Sequence, residues 1–180
     1  VMAMATYEGV VISSKQGQEC NLPLLPGEYP LAVPGETAIP GWRVTALVQK
    51  SLQISVSERG QMPSGYTAWL DYDKVGPKLT VRGRRRGDRF QPLGMQGEKK
   101  LQDFMVDAKI PRQWRDRIPL VCTPAGIVWV VGHRVDERAG VTSSTKEVLE
   151  LHFELAESGS WSPKRRNHTG LHPLNEVLGL

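Results

Sequence analysis

From Tyr7 to Tyr72 the apolar residues come in short β-branched or aromatic runs: YEGVVISS, WRVTALVQ, LQISVS and YTAWLDY. Pairs at Pro26-Gly27, Pro34-Gly35 and Pro40-Gly41 punctuate them, a pattern that predicts strands joined by turns. No helical period shows until about residue 98. At Lys78 the pattern changes: Leu79 and Val81 alternate with Thr80 and Arg82, predicting an edge-like strand with its apolar side chains inward and arginine outward. An irregular loop, Pro92 to Gly97, comes next. Leu101, Phe104, Met105 and Ala108 then fall at i, i+3, i+4 and i+7, which predicts a helix ended by Pro111. A second short helix is expected with Pro111 near its first turn; it would carry Arg112, Arg115 and Arg117 and stop at Pro119. LVCT, the turn Pro124-Ala125-Gly126 and IVWVV read as a hairpin. Finally Leu149, Leu151, Phe153 and Leu155 alternate with Glu150, His152 and Glu154 in one more half-buried strand.

These elements predict an α+β fold. A β-rich part, residues 1–77, precedes a small α+β domain, residues 78–156, with two short basic helices inserted between antiparallel strands. Residues 157–180 begin polar, contain Pro163 and Gly170, and read as a tail or linker. The opening residues enter a strand-like run with no start signal, as in a chain cut from a longer protein. At 180 residues and 39% apolar content, the chain can bury one moderate core or two small ones. No run approaches the roughly 20 apolar residues that span a bilayer, and the first residues lack a secretory signature, so a cytoplasmic protein is expected. Cys20 and Cys122, far apart in sequence, suit reduced thiols.

Charge changes the picture more. Between Lys78 and Arg117 twelve basic side chains face five acidic ones, a net +7, while the whole chain is only +4. Such a one-sided distribution is the footprint of a polyanion partner. Arginines outnumber lysines in the block, and a guanidinium offers phosphate a planar fork of donors. Glycines at 83, 87, 94 and 97 would let backbone N–H groups approach a phosphate. The acids of the block are expected to cap and orient, not to neutralise.

Other motifs carry less. Gly94 to Lys100 lacks the spacing and hydroxyl of a nucleotide-binding loop. Arg86-Gly87-Asp88 reads as a turn in which Asp88 bonds local backbone. His168 and His172 have no cysteine pair upstream, so no metal site is expected. Asp136 and Glu137, flanked by Arg134 and Arg138, read as a local ion-pair cluster. The five tryptophans are core candidates, with Trp114, set among arginines, also a possible base-stacking platform.

Three strings carry a family resemblance: R-x-R-R-x-G-D-R-F-x-P-L-G-M-x-G-x-K-K-L-x-D-F from Arg82 to Phe104, D-x-K-I-P-R-x-x-R-D-R-I-P-L-V from Asp107 to Val121, and I-V-W-V-V-G-H-R-V-D-E-R from Ile127 to Arg138. Together they closely resemble the C-terminal domain of bacterial tRNA(Ile)-lysidine synthetase. Val33 to Trp42 and Leu70 to Lys74 look like the segment joining that family's middle region to it, so the resemblance spans roughly residues 5 to 156. The tail lies outside; its HPLNEVL is similar to the start of a phosphoribosyltransferase.

The resemblance implies an ATP-dependent ligase that adenylates the wobble cytidine of isoleucine tRNA and lets the lysine amine form lysidine. ATP and magnesium would serve the full-length enzyme, with no cofactor in this chain. That chemistry belongs to an N-terminal catalytic domain with an S-G-G-x-D-S loop, a string this sequence does not contain. The resemblance therefore implies a portion that binds tRNA on its acceptor-stem side, partners the catalytic domain, and carries no catalytic residue. The expected tRNA-contact set is Arg82, Arg84, Arg85, Arg86, Arg89, Lys99, Lys100, Arg112 and Arg115. A generic nucleic-acid module, or a structural domain that docks on a catalytic partner without binding RNA, would use the same basic block.

Overall fold

A computed structural model describes residues 20–50 and 65–156 and, as backbone, 2–6 and 9–13. Strands β1 (Met2–Thr6) and β2 (Gly9–Ser13) pair as an antiparallel ribbon. The main body has two antiparallel sheets. One is built from β4 (Gly35–Ile39), β5 (Trp42–Lys50), β6 (Thr67–Asp71) and β13 (Glu147–Leu155), in the order β4-β5-β13-β6. The other takes β3 (Glu28–Pro30), β7 (Thr80–Arg82), β10 (Leu120–Thr123), β11 (Gly126–Val130) and β12 (Arg134–Val135), in the order β12-β11-β10-β7-β3. Both sheets draw strands from either side of Lys78. A short ribbon, β8 (Arg89–Phe90) with β9 (Lys99–Lys100), leads into helix α2 (Leu101–Asp107); helix α1 (Tyr72–Val75) is a single turn after β6.

Strand periodicity explains the layering. In β5 and β13 one face alternates into the interior: Trp42, Val44 and Ala46 on the first, Leu149, Leu151 and Phe153 on the second, all buried. They join Val81, Val121 and Trp129 of the five-stranded sheet, and Leu79 just before β7, in one core. Phe153 ties the sheets together, its ring meeting Trp42 at 5.8 Å and Trp129 at 5.4 Å, both edge to face. On the opposite face of the five-stranded sheet, Leu120, Cys122, Ile127 and Val130 form a second core with Phe90, Leu101, Phe104 and Met105. This sheet is therefore covered on both sides, which is why LVCT and IVWVV are continuous apolar runs. The register shift at Val121/Cys122 skips Val128, so the consecutive Val128 and Trp129 both lie in the first core while Ile127 and Val130 lie in the second.

The α+β class and the antiparallel strands agree with the pattern, and the Pro40-Gly41 and Pro124-Ala125 turns fall where expected. Gly41 sits at φ +70°, and a Cβ there would lie 2.3 Å from Pro23, so both backbone conformation and space demand glycine. Several details differ. Strand β7 lies between β10 and β3, so it is an interior strand, not an edge. The second basic helix is only a 3-10 turn, Arg112–Trp114, with Trp114 N–H donating to the Pro111 carbonyl at 2.9 Å. Two prolines bracket too few residues to repay helix nucleation. Leu155, expected on the buried face, is 43% exposed at the end of β13, whereas Phe153, two residues earlier on that face, is buried. LQISVS, Trp161, both late histidines and the tail lie outside the described residues. Among those described, no helix is long and apolar enough to cross a membrane. Both cysteines are free thiols, and burial pushes Cys122 up to about 11, which leaves it protonated and inert at neutral pH.

Phe104 anchors α2, packed edge to face on the fully buried Phe90 at 5.0 Å. Phe104→Ala should lower stability by about 3–5 kcal/mol, read as an earlier urea-unfolding midpoint with an unchanged slope.

Candidate functional site

The chain leaves β7 through Gly83, Arg84, Arg85, Arg86 and Gly87 and re-enters regular structure at Arg89. Asp88 governs this loop. Its carboxylate accepts both terminal nitrogens of Arg82, at 2.8 and 2.9 Å, and also the Arg85 backbone N–H at 2.7 Å. Its carbonyl takes the Leu101 N–H at 2.9 Å, fastening the loop to the start of α2. Gly87 closes the turn at φ +89°, a conformation side chains resist. Burial raises the Asp88 carboxyl, but the bonds from Arg82 and from the Arg85 N–H outweigh it and hold the group below its ordinary value; the side-chain bonds to Asp88 in turn raise Arg82. The expected turn with Asp88 on local backbone is present, with the Arg82 fork added.

The outward projection expected of Arg82 is corrected by this geometry. Arg82 is only 9% exposed and spends its guanidinium on Asp88 and on the Gly83 carbonyl, so it holds the loop and has no fork left to offer. The loop instead presents the next three arginines. Arg84, Arg85, Arg86 and Lys100 line one open cleft of about 370 Å³ together with Gly87, Asp88, Leu101, Gln102 and Asp116. Arg84 Nε donates to Asp116 at 2.5 Å, and its Nη1 bonds the Gln102 amide oxygen. Arg85 Nη2 donates to Glu28 at 2.8 Å, a bond that, with one from Thr80, draws the Glu28 carboxyl below its usual range. Arg86 and Lys100 are exposed and have no ion-pair partner among the described residues.

The remaining expected contacts lie outside the cleft lining. Arg89 pairs loosely with Glu98 at 3.6 Å, and Lys99 pairs with Asp107. Arg115 donates from Nε to the Ile110 carbonyl at 2.9 Å and tightens the 3-10 turn, on which Arg112 is exposed. The acids thus do more than cap and orient: of the five in the block, only Asp103 lacks an ion pair among the described residues. Glu28 and Gln102 were not legible as site residues, because Glu28 pairs with an arginine 57 positions away and neither lies in a motif.

The neighbouring acidic cluster is structural, and of its two flanking arginines Arg138 makes the expected ion pair, with Asp136, while Arg134 makes none among the described residues. Asp136, 1% exposed, accepts the Gln91 N–H at 2.8 Å and three N–H groups of Arg138 at 2.9 Å each. Glu137 accepts the Gly94 N–H at 2.6 Å. Together they pin the Pro92 to Gly97 loop. Burial raises the Asp136 carboxyl, but the Arg138 and Gln91 bonds overcome it and hold the group low.

The fold and cleft define a small α+β domain with an arginine-lined opening beside a two-faced sheet. Residues 79–152 match the family model described as the TilS substrate C-terminal domain, and this segment belongs to that family. The chain is 42% identical over 150 residues to the tRNA(Ile)-lysidine synthase of Dehalococcoides mccartyi, covering 83% of this chain and 31% of that protein. It is 38% identical over 154 residues to the enzyme of the same name from Caldanaerobacter subterraneus subsp. tengcongensis, covering 85% and 31%. The chain therefore spans about a third of the length of these relatives. A crystal structure of a TilS C-terminal domain superposes with a TM-score of 0.58 at 29% identity, over 73% of this chain and 98% of that one. An N-terminal fragment of the phenylalanyl-tRNA synthetase beta subunit from Pyrococcus horikoshii, 18% identical with a TM-score of 0.50 over 61% of this chain and 38% of that one, shares the fold alone.

Two outcomes follow from the Arg82–Asp88 fork. Arg82→Ala should destabilise the domain by roughly 3 kcal/mol, since it strands a largely buried carboxylate, whereas Arg86→Ala should stay within about 0.5 kcal/mol, both read by urea unfolding. The carboxyls of Asp88 and Asp136 titrate lower in the folded state than their ordinary 3.8, so the stability they contribute is full above that value and is lost as pH falls through the folded values. Asp88→Asn should flatten the acid limb of the stability curve below about pH 4.

Proposed function

We propose that this domain binds the phosphate backbone of a structured RNA, and that the RNA is an isoleucine tRNA held from its acceptor-stem side. The observation that carries the reading is the cleft where Arg84, Arg85, Arg86 and Lys100 converge on a braced loop, within a domain whose relatives are named tRNA(Ile)-lysidine synthase. Structured RNA is recognised largely through phosphate, 2′-hydroxyl and shape contacts, for which guanidinium forks fixed on a rigid turn are suited. Arg89, Lys99, Arg112 and Arg115 would extend the contact beyond the cleft, while Arg82 supports it from within.

In this reading the domain serves an ATP-dependent ligase that turns the wobble cytidine into lysidine, and its protein partner is the catalytic domain of the same enzyme. ATP and magnesium would be used there. The residues of this domain do not fit them: among the described residues no three His, Cys, Asp or Glu side chains converge as a metal site, and the Gly94 to Lys100 loop lacks nucleotide-loop spacing. The work of this chain is to position RNA.

A titration of the purified chain with an isoleucine tRNA transcript at several salt concentrations tests the reading. Affinity should fall steeply with salt, the log–log slope gaining about −0.7 to −0.9 for each phosphate neutralised. Replacing Arg84, Arg85 and Arg86 together by alanine should weaken binding by at least about tenfold, on the order of 1 kcal/mol or more per lost charge-assisted bond, while urea unfolding barely moves. Equal affinity for the triple variant would overturn the assignment of this face. No RNA binding at any salt would instead favour docking on an acidic protein partner.

Supplied with tRNA, lysine, ATP and magnesium, the chain alone should release no AMP and form no lysidine. Appearance of radiolabelled AMP above a protein-free blank would contradict that outcome.

A further inference from the structure

We propose that Asp116 and Glu28 are positioning residues: they fix the guanidiniums of Arg84 and Arg85 in two directions across the cleft, and so set its selectivity among RNAs. The inference rests on the RNA-binding reading above and deepens it. Strand β7 lies between β10 and β3. Asp116 stands on the lead-in to β10, and Glu28 is on β3, opposite Arg82. Successive arginines of the loop are thus drawn to opposite flanks of the strand, Arg84 toward Asp116 and Arg85 toward Glu28.

The bonds fix direction and leave donors over. A guanidinium has five N–H groups. Asp116 and Gln102 engage the Nε N–H and one Nη1 N–H of Arg84, which leaves the second on Nη1 and both on Nη2; Glu28 engages one Nη2 N–H of Arg85, which leaves the second on Nη2 and those on Nε and Nη1. Glu28 is itself held by the Thr80 hydroxyl at 2.9 Å. Exposed pairs of this kind add little to folding. Their effect on binding is different: a long side chain already held in one rotamer pays less entropy on meeting a phosphate, but only when the phosphate lies where it points. Each carboxylate also cancels one unit of the long-range attraction that any polyanion feels. Together these two effects lower affinity for RNA of the wrong shape and preserve it for RNA of the right one.

Asp103 supplies the control, because it is exposed on α2, carries the same charge, and makes no ion pair among the described residues. Affinities for the isoleucine tRNA transcript and for an unrelated RNA hairpin should be measured for the wild type, Asp116→Asn, Glu28→Gln and Asp103→Asn. Asp103→Asn should raise both affinities alike and leave their ratio unchanged. Asp116→Asn and Glu28→Gln should raise hairpin affinity without a matching gain for tRNA, so that the ratio falls about two- to fivefold for each. Ratios that follow the Asp103→Asn control would overturn the proposal. A selectivity loss that tracks a lower unfolding temperature would assign the pairs to the fold and overturn it equally. Failure of the wild-type chain to bind either RNA would sink the RNA-binding reading itself, whereas wild-type binding with unmoved ratios sinks only the positioning role.

Discussion

The fork between Arg82 and Asp88 is the contact on which the cationic face of this domain depends. A run of consecutive arginines repels itself and gains nothing by folding back, so a loop containing it needs an internal anion to hold its ends together. Asp88 does this at three places at once: the Arg82 guanidinium at the end of β7, the Arg85 N–H at the turn, and, through its carbonyl, the first residue of α2. The pair is largely desolvated, with side-chain exposures of 11% and 12%, so its strength comes from the number and geometry of its bonds. One arginine is withdrawn from the surface so that three others can be presented by a loop of fixed shape.

That loop needs a firm base, which the five-stranded sheet supplies. Strand β7, which feeds the loop, is hydrogen-bonded on one side to β3 and on the other to β10, a strand covered on both faces, and its Val81 is packed into the first core. Phe90 and Phe104 pack α2 against the same sheet, so the loop and the helix that flank the cleft share one support. The relation between core and site is mechanical: apolar burial fixes where backbone atoms lie, and the backbone fixes where guanidiniums begin.

Pairing within the basic block gives its charge a different meaning from the one a count suggests. Arg84, Arg85, Arg89 and Lys99 each have a carboxylate at hand, while Arg86, Lys100 and Arg112 stand on the exposed surface without an ion-pair partner among the described residues. The surface therefore combines oriented cations of low net charge with unshielded cations that attract at longer range. Exposed pairs of this type are weak, so neither group is locked away from an incoming phosphate.

The sequence by itself determined the α+β class, β5 as a strand, the alternating face of β13, helix α2, the hairpin of β10 and β11, and the place where cationic chemistry gathers. Those features are periodic or local: alternation, helical spacing, Pro-Gly turns and a charge block are written within a few residues of one another. Its strings also carried the resemblance that the family model matches over residues 79–152. Only the tertiary structure decided that β7 is interior, that Arg82 is spent on Asp88, and that Glu28 and Asp116 face Arg85 and Arg84. Strand order and ion-pair partners depend on residues distant in sequence, and alternation says which side chains share a face without saying which strand lies alongside. The short helix expected after Pro111 belongs with these, because spacing alone could not show that the chain between two prolines settles for a single 3-10 turn held at its start by the Pro111 carbonyl.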